Sequence, residues 1–223
     1  MSKRSGMISA DVYERITAMI LRNELRPGTR INIDQLAHTL DVSATPVREA
    51  LARLESDGLV TKIHLKGYRT AEVLGRRELE EIYQFRLRLE PYSAAQAAQQ
   101  ATNDDVARLT SELSLFESPP IRADYDSYRQ FSAHDARLHA LILEIADNNV
   151  IAQALERTHF HLHAFRLAYD AAAGARTIGE HKEVVAAIAA GDPARADKAM
   201  RTHLENAMNR LLPTSLAPPT GNG

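Results

Sequence analysis

The sequence predicts a mainly α-helical protein, with three helices and a β-hairpin at the N-terminus and then an all-helical bundle of about six helices. Three observations carry this expectation. Of 223 residues, 44% are hydrophobic and 25% charged but only 5% aromatic, and the Ala, Leu, Glu and Arg that dominate favour helix. Apolar residues recur at helical spacing along most of the chain, whereas strand-like alternation is confined to residues 59–73. Cysteine is absent, which removes disulfides, thiolate metal sites and cysteine nucleophiles, and fits a reducing, cytoplasmic setting. No apolar run approaches the length of a membrane span, and the basic start Met1-Ser2-Lys3-Arg4 has no apolar stretch behind it. Neither membrane insertion nor secretion is expected.

The first helix starts at Ser9 and Asp11, which cap a stripe of Val12, Ile16, Met19 and Ile20. It stops at Leu25-Arg26-Pro27-Gly28-Thr29, where Pro27 presets a turn and Gly28 can take positive φ. A short second helix through Leu36, Ala37 and Leu40 begins near Ile33-Asp34. After the tight connection Asp41-Val42-Ser43, a third helix is capped by Ser43 or Thr45, carries Pro46 in its first turn and ends before Gly58. Residues 59–63 and 68–73 then alternate as strands around His64-Leu65-Lys66-Gly67. Three helices followed by a hairpin make a winged helix-turn-helix.

From Arg76 to about Leu212 helix follows helix, with breaks expected near Thr102-Asn103, Ser118-Pro119-Pro120, Asp147-Asn148-Asn149, Ala173-Gly174 and Gly191-Asp192-Pro193. The expected organisation is a disordered N-terminus over 1–8, the winged domain over 9–74, the helical domain over 75–212 and a disordered tail over 213–223. Charge divides along the same line. Residues 1–75 hold eleven Lys/Arg against nine Asp/Glu, and the remainder sixteen against twenty. A mildly basic N-terminal part on an acidic remainder is a weak pointer to nucleic acid.

On the third helix Val47, Ala50, Leu51 and Leu54 share the core face, while Thr45, Arg48, Ala52 and Glu55 share the opposite one. The N-terminal end of such a helix enters the major groove in helix-turn-helix proteins. Arg48 can fork onto guanine O6 and N7; Ser43, Thr45 and backbone N–H groups suit phosphate oxygens. The alternative is that Arg48 merely pairs with Glu49 or Glu55. The hairpin cations Lys62, Lys66 and Arg69 weigh against it by supplying a second contact surface.

The run Leu36-Ala37, Leu40-Asp41-Val42-Ser43-Ala44-Thr45-Pro46-Val47-Arg48-Glu49-Ala50-Leu51, Leu54 and Gly58-Leu59-Val60, preceded by Glu24-Leu25-Arg26-Pro27-Gly28, resembles the N-terminal domain of GntR-family bacterial transcription regulators. The resemblance covers residues 9–73. It implies dimeric binding to double-stranded operator DNA, with Ser43, Thr45, Arg48, Lys66 and Gly67 at the DNA. Ala44 and Asp34 depart from the basic residues many members carry there.

In the helical part, Asp135 and His139 lie four apart and project from one helix face. That spacing serves a side-chain hydrogen bond or a two-point chelate. With Glu180-His181 in the next-to-last helix and His203-Leu204 in the last, the pattern resembles the C-terminal FCD-type domain of FadR-like GntR regulators over 76–212. The six helices and modest length resemble its VanR-type branch. The resemblance implies an effector-binding and dimerisation domain in which Asp135, His139, His181 and His203 hold a divalent ion with open positions. Three imidazoles and one carboxylate suit Zn²⁺ foremost, or Ni²⁺ or Mn²⁺.

Among their neighbours, Glu180 reads as half of a surface pair, His134 as an exposed helix residue and Asn148 as a helix cap. The resemblance also places Arg86 at the effector cavity, where a planar fork matches a small carboxylate. An ion pair with Glu90, four residues on, is the alternative. His159, His161 and His163 alternate along one segment. Pocket lining or plain surface is preferred over a second chelate there.

The leading expectation is therefore a ligand-responsive DNA-binding regulator, a repressor that senses a small carboxylic acid through a metal-containing pocket. The alternatives are a metal-dependent enzyme using the Asp/His cluster and a DNA binder whose metal is purely structural. No His-Glu-x-x-His, nucleophile elbow, phosphate loop or dinucleotide fingerprint supports an enzyme.

Overall fold

A computed structural model describes residues 2–116, 125–167 and 171–212, in two compact units that divide between Val73 and Leu74. Among the described residues there are ten helices and one three-stranded sheet. No described helix is long and apolar enough to cross a membrane.

The first unit is built on α1 (Ser2–Leu21), α2 (Ile33–Leu40) and α3 (Ala44–Ser56). The start expected at Ser9 falls inside α1, which runs from Ser2. Val12, Tyr13, Ile16 and Ile20 bury one face of α1, and α1 packs on α3. Asn32 caps α2 by accepting from the N–H groups of Asp34 and Gln35 at 3.1 Å. Asp41, at φ 55°, closes α2, and Val47, Ala50, Leu51 and Leu54 form the buried face of α3.

The hairpin comprises β2 (Val60–Ile63) and β3 (Gly67–Thr70), paired Val60↔Thr70 to Ile63↔Gly67. A third strand, β1 (Arg30–Ile31), pairs antiparallel with β3 and was not expected from the sequence. Two residues are too few to show alternation. The turn before them sets the pairing: Thr70 donates its N–H to the Thr29 carbonyl at 2.9 Å and accepts from Gly28 at 3.2 Å. Gly28 has φ +69°, a backbone conformation that favours glycine.

The second unit comprises α4 (Arg76–Gln100), α5 (Asn103–Ser114), α6 (Tyr125–Ile145), α7 (Asn149–Glu156), α8 (Phe160–Leu167), α9 (Ala171–Ala189) and α10 (Pro193–Leu211). Its core gathers Leu79, Tyr83, Leu109, Leu138, Ile142, Val184, Ile188 and Leu204. Three expected breaks are present, each with its cap: Thr102 bonds Asp105 N–H at 3.2 Å, Asn148 bonds Ile151 N–H at 3.1 Å, and Asp192 bonds Arg195 N–H at 3.0 Å before Pro193. The break expected near Ala173-Gly174 is displaced: α8 ends at Leu167 and α9, which begins at Ala171, runs through both residues.

An additional, unforeseen break separates α7 from α8, so seven helices follow the hairpin among the described residues. Here Thr158 Oγ1 donates to the Leu155 carbonyl at 2.6 Å and His159 takes φ 45°. A side chain that captures a helix carbonyl competes with the next turn, and neither Gly nor Pro announces it. The expected break at Ser118-Pro119-Pro120 and the tail over 213–223 lie outside the described residues.

Candidate nucleic-acid interface and metal centre

In the first unit, Ser43, Thr45 and Arg48 are exposed at the N-terminal end of α3, and Lys62, Lys66, Gly67 and Arg69 are exposed on the hairpin. Ser43 occupies the N-cap position yet makes no side-chain cap bond. Its hydroxyl and the first N–H groups of α3 thus remain available at the positive end of the helix dipole. Arg48 forms no ion pair with Glu49 or Glu55 among the described residues. Arg53, on the same helix and also exposed, lies 3.8 Å over the Tyr13 ring, and Tyr13 donates to Asp57 at 2.6 Å. Arg48 makes no such ring contact among the described residues.

In the second unit, α6 supplies Asp135 and His139, α9 supplies His181 and α10 supplies His203. One donor atom from each lies within 4.8 Å of the others. His139 Nε2 is 3.2 Å from His203 Nε2, and His181 Nε2 and His139 Nε2 are 3.2 and 3.9 Å from Asp135 Oδ1. Donors bound to one ion at about 2.0–2.2 Å sit roughly 3.3–4.4 Å apart, so the spacing is close to that of a loaded site. The three rings are 1–3% exposed. His181 Nε2 is buried with no hydrogen-bond partner among the described residues, since its approach to Asp135 lacks hydrogen-bond alignment. An orphaned ring nitrogen beside two others and a carboxylate fits a divalent cation.

The outer nitrogen of each ring is held. His139 Nδ1 meets Glu90 Oε2, and Glu90 is gripped by Arg86 Nε at 2.5 Å and its Nη2 at 3.3 Å. His203 Nδ1 meets Glu180 Oε2 at 3.0 Å, and Glu180 takes two bonds of 2.8 Å from Arg210. His181 Nδ1 meets His134 Nε2 at 3.3 Å; His134 Nδ1 meets Glu112 Oε1 at 2.9 Å, and Arg137 clamps Glu112 at 2.8 and 3.0 Å. Such partners fix the tautomer and direct Nε2 inward.

Electrostatics favour the same protonation states. Burial pushes His203 down to about 3, with the neighbouring His181 and His139 adding to it against the Glu180 bond. Burial likewise lowers His139 and His134. For Asp135, burial acts to raise the carboxyl but is outweighed by the hydrogen bond with His161 and by the His181 and His139 rings facing it, which hold it well below its ordinary value. Neutral imidazoles around an ionised carboxylate are the ligating forms.

Three expectations about neighbours need correcting or refining. His134 is not an exposed helix residue: it is fully buried, because α5 and Phe116, with ring centroids 4.6 Å apart, cover it. Glu180 is not half of a surface pair but the orienting partner of His203. Asn148 is the helix cap expected. Arg86 forms the buried ion pair with Glu90, and both line a cavity of 390 Å³ together with His139, His161, Leu143 and Leu155.

His161 Nδ1 lies 3.0 Å from Asp135 Oδ2, His159 lines the cavity, and His163 Nδ1 is buried without a partner among the described residues. Neither His159 nor His163 belongs to a cluster of three or more metal-ligating side chains among the described residues. Sequence reasoning missed Glu112 altogether and met Glu90 only as a partner for Arg86. The signal for Glu90 was the spacing of four from Arg86; Glu112 left none.

The FCD domain family matches residues 81–206, and the bacterial regulatory proteins of the gntR family match residues 8–69. The Uxu operon transcriptional regulator of Escherichia coli is 28% identical over 231 residues, covering 90% of this chain and 86% of that protein. The transcriptional regulator LutR of Bacillus subtilis is 27% identical over 205 residues, covering 84% and 94%. In fold, a GntR regulator from Rhodococcus sp. superposes with a TM-score of 0.71 at 24% identity, covering 92% of this chain and 97% of that one. Escherichia coli McbR superposes with a TM-score of 0.68 at 23% identity, covering 92% and 96%. These are regulators and not enzymes, which sets aside the metal-dependent enzyme. The chain belongs to the GntR family of bacterial regulatory proteins, in the group with an FCD domain, and is a DNA-binding transcription regulator.

Proposed function

We propose that this regulator is a cytoplasmic homodimeric repressor whose FCD domain senses a small carboxylic acid through a divalent cation, Zn²⁺ foremost and Ni²⁺ or Mn²⁺ as alternatives. The carrying observation is the convergence of Asp135, His139, His181 and His203 with every outer ring nitrogen engaged. Three imidazoles and one carboxylate leave positions for water or ligand, so such a site can respond as well as staple. Charge supports an anionic effector. Arg86 and Glu90 cancel, and a divalent cation with Asp135 leaves one positive charge for a carboxylate entering the adjacent cavity to neutralise.

Arg86 is the effector-binding residue in this reading, and the carboxylate shares its guanidinium with Glu90. On DNA, Arg48 reads a base, while Ser43, Thr45, Lys66 and Gly67 hold the backbone. Two copies place paired recognition helices on a pseudo-palindrome.

The test joins metal analysis of protein purified without chelators to thermal melts and operator binding across a panel of small carboxylic acids. Bound metal, an acid that raises the melting temperature only in metal-loaded protein, and altered operator affinity are expected. Arg86→Lys, which keeps the charge but not the fork, should retain metal and blunt the response. A protein that takes up no divalent ion, or one whose metal leaves acids without effect on DNA binding, refutes the sensor. Light scattering showing a monomer at micromolar concentration, free and on DNA, refutes the dimer.

A further inference from the structure

We infer that Glu112 and His134 are positioning residues which select the metal-competent tautomer of His181. This inference rests on the proposed metal site, and one arm of its test does not require metal. His181 differs from the other two ring donors in its backing. His139 and His203 each meet a glutamate directly, whereas His181 meets a second imidazole, and only His134 stands between it and Glu112. The relay crosses three helices, from α5 through α6 to α9.

Donor and acceptor capacity fixes the order of protons. Glu112, clamped by two bonds from Arg137, is an acceptor only, so the nitrogen of His134 facing it, Nδ1, carries hydrogen. A neutral His134 then has a bare Nε2, which can only accept. Its neighbour at 3.3 Å, His181 Nδ1, must therefore donate. His181 Nε2 is left as a lone pair directed toward Asp135, His139 and His203, which accounts for that atom being buried without a hydrogen-bond partner.

The competing tautomer would place hydrogen on His181 Nε2, 3.2 Å from Asp135 Oδ1. An ionised carboxylate would favour that proton, and a ring so protonated cannot ligate. In that state, however, two bare nitrogens would face each other between His181 and His134, in an interior where an unmade hydrogen bond is costly. Glu112 thus blocks the wrong state by fixing the far side of His134. Phe116 shields the relay, lying 4.6 Å from the His134 ring centre, and His134 itself has no solvent exposure. Water cannot readily substitute for the missing partner. Arg137 and His134 sit three apart on α6 and close on the same carboxylate from two sides, which positions Glu112 although it belongs to another helix.

The experiment combines nitrogen-15 NMR of the histidine rings in chelator-treated full-length protein with Zn²⁺ titration against a chromophoric chelator. In metal-free wild type, His181 should show the Nδ1–H tautomer. His134→Phe preserves ring volume beside Phe116 and removes the acceptor; it should shift His181 toward Nε2–H and weaken Zn²⁺ about 10–100-fold, the usual cost of losing a partner behind a ligand. Glu112→Leu should do the same.

Glu112→Gln offers an amide oxygen to the same Nδ1–H, and should keep the tautomer and lose less than about 10-fold. This pair of substitutions lies one step removed from His181, so it remains informative if His134→Phe fails to fold. Equal Zn²⁺ affinity in wild type, Glu112→Leu and Glu112→Gln, or an Nε2–H tautomer in metal-free wild type, overturns the assignment. A wild type that shows the Nδ1–H tautomer, lost in Glu112→Leu, but binds no Zn²⁺ overturns the metal site and leaves the tautomer selection standing.

Discussion

His139 Nε2 and His203 Nε2 face each other across 3.2 Å inside the helical unit. Each ring has its other nitrogen turned to a glutamate, His139 to Glu90 and His203 to Glu180, and ionised carboxylates can only accept. Both Nδ1 atoms therefore carry hydrogen, and both Nε2 atoms of the neutral rings are lone pairs pointed at one another. At that distance no water fits between them. The pair is an unfavourable contact until a cation lies between the two nitrogens.

That contact predicts the response to metal. Zn²⁺ at 100 times its dissociation constant should stabilise the wild type by about 2.7 kcal/mol. His203→Ala removes a donor and should lose most of that gain while retaining helical content. Melts with and without Zn²⁺, followed by circular dichroism, check it; equal Zn²⁺ stabilisation in both proteins would show that His203 is not a ligand.

Acid should destabilise the metal-free protein from near neutrality downward. His203 is held at about 3, and burial also lowers His134 and His139. Between these values and an ordinary histidine near 6.5 the unfolded chain binds protons that the folded chain refuses, so stability falls with pH by up to about 1.4 kcal/mol per unit for each such group. Glu180, lowered to about 2 against burial by Arg210 and His203, adds a loss in the same direction below its ordinary range. Melting temperatures in chelator should be level above pH 7 and drop steadily toward pH 5. A level profile across that whole range contradicts a neutral histidine cluster.

The buried pair Arg86–Glu90, whose side chains are 3% and 5% exposed, predicts a non-additive pair of variants. Glu90→Gln leaves a guanidinium without its counter-charge and should cost about 3–5 kcal/mol, whereas replacing Arg86 by Met in the same protein should recover much of it. Denaturant unfolding of the single and double variants measures the coupling. Additive effects would mean that the pair is not interacting as the geometry implies.

On the DNA side, Arg48→Ala should reduce discrimination between operator and random DNA by about 1–3 kcal/mol, because a base-edge contact carries sequence information. Lys66→Ala should weaken both DNAs alike and flatten the salt dependence, as expected of a phosphate contact. Binding measured at several fixed salt concentrations separates the two, and the assignment of Arg48 fails if its loss weakens both DNAs equally.

Local chemistry determined much of this protein. The apolar stripe of α3, the turn at Pro27-Gly28, the caps at Thr102, Asn148 and Asp192, and the spacing of Asp135 and His139 are all properties of neighbouring residues, and they mark a winged helix-turn-helix, a helical bundle and one helix face that carries both Asp135 and His139. The resemblance carried by those motifs extended the reading to His181, His203 and Arg86. Tertiary structure decided what depends on residues far apart in the chain. His134 was misread because a residue beside Asp135 on α6 is exposed or buried according to what covers it, and Glu112 belongs to α5 while Phe116 lies just past its end. The pairing of His134 with His181 spans 47 positions, and that of His139 with Glu90 spans 49. Periodicity reports which residues share a helix face, but not which faces meet, and the partners of the buried histidines are decided where those faces meet.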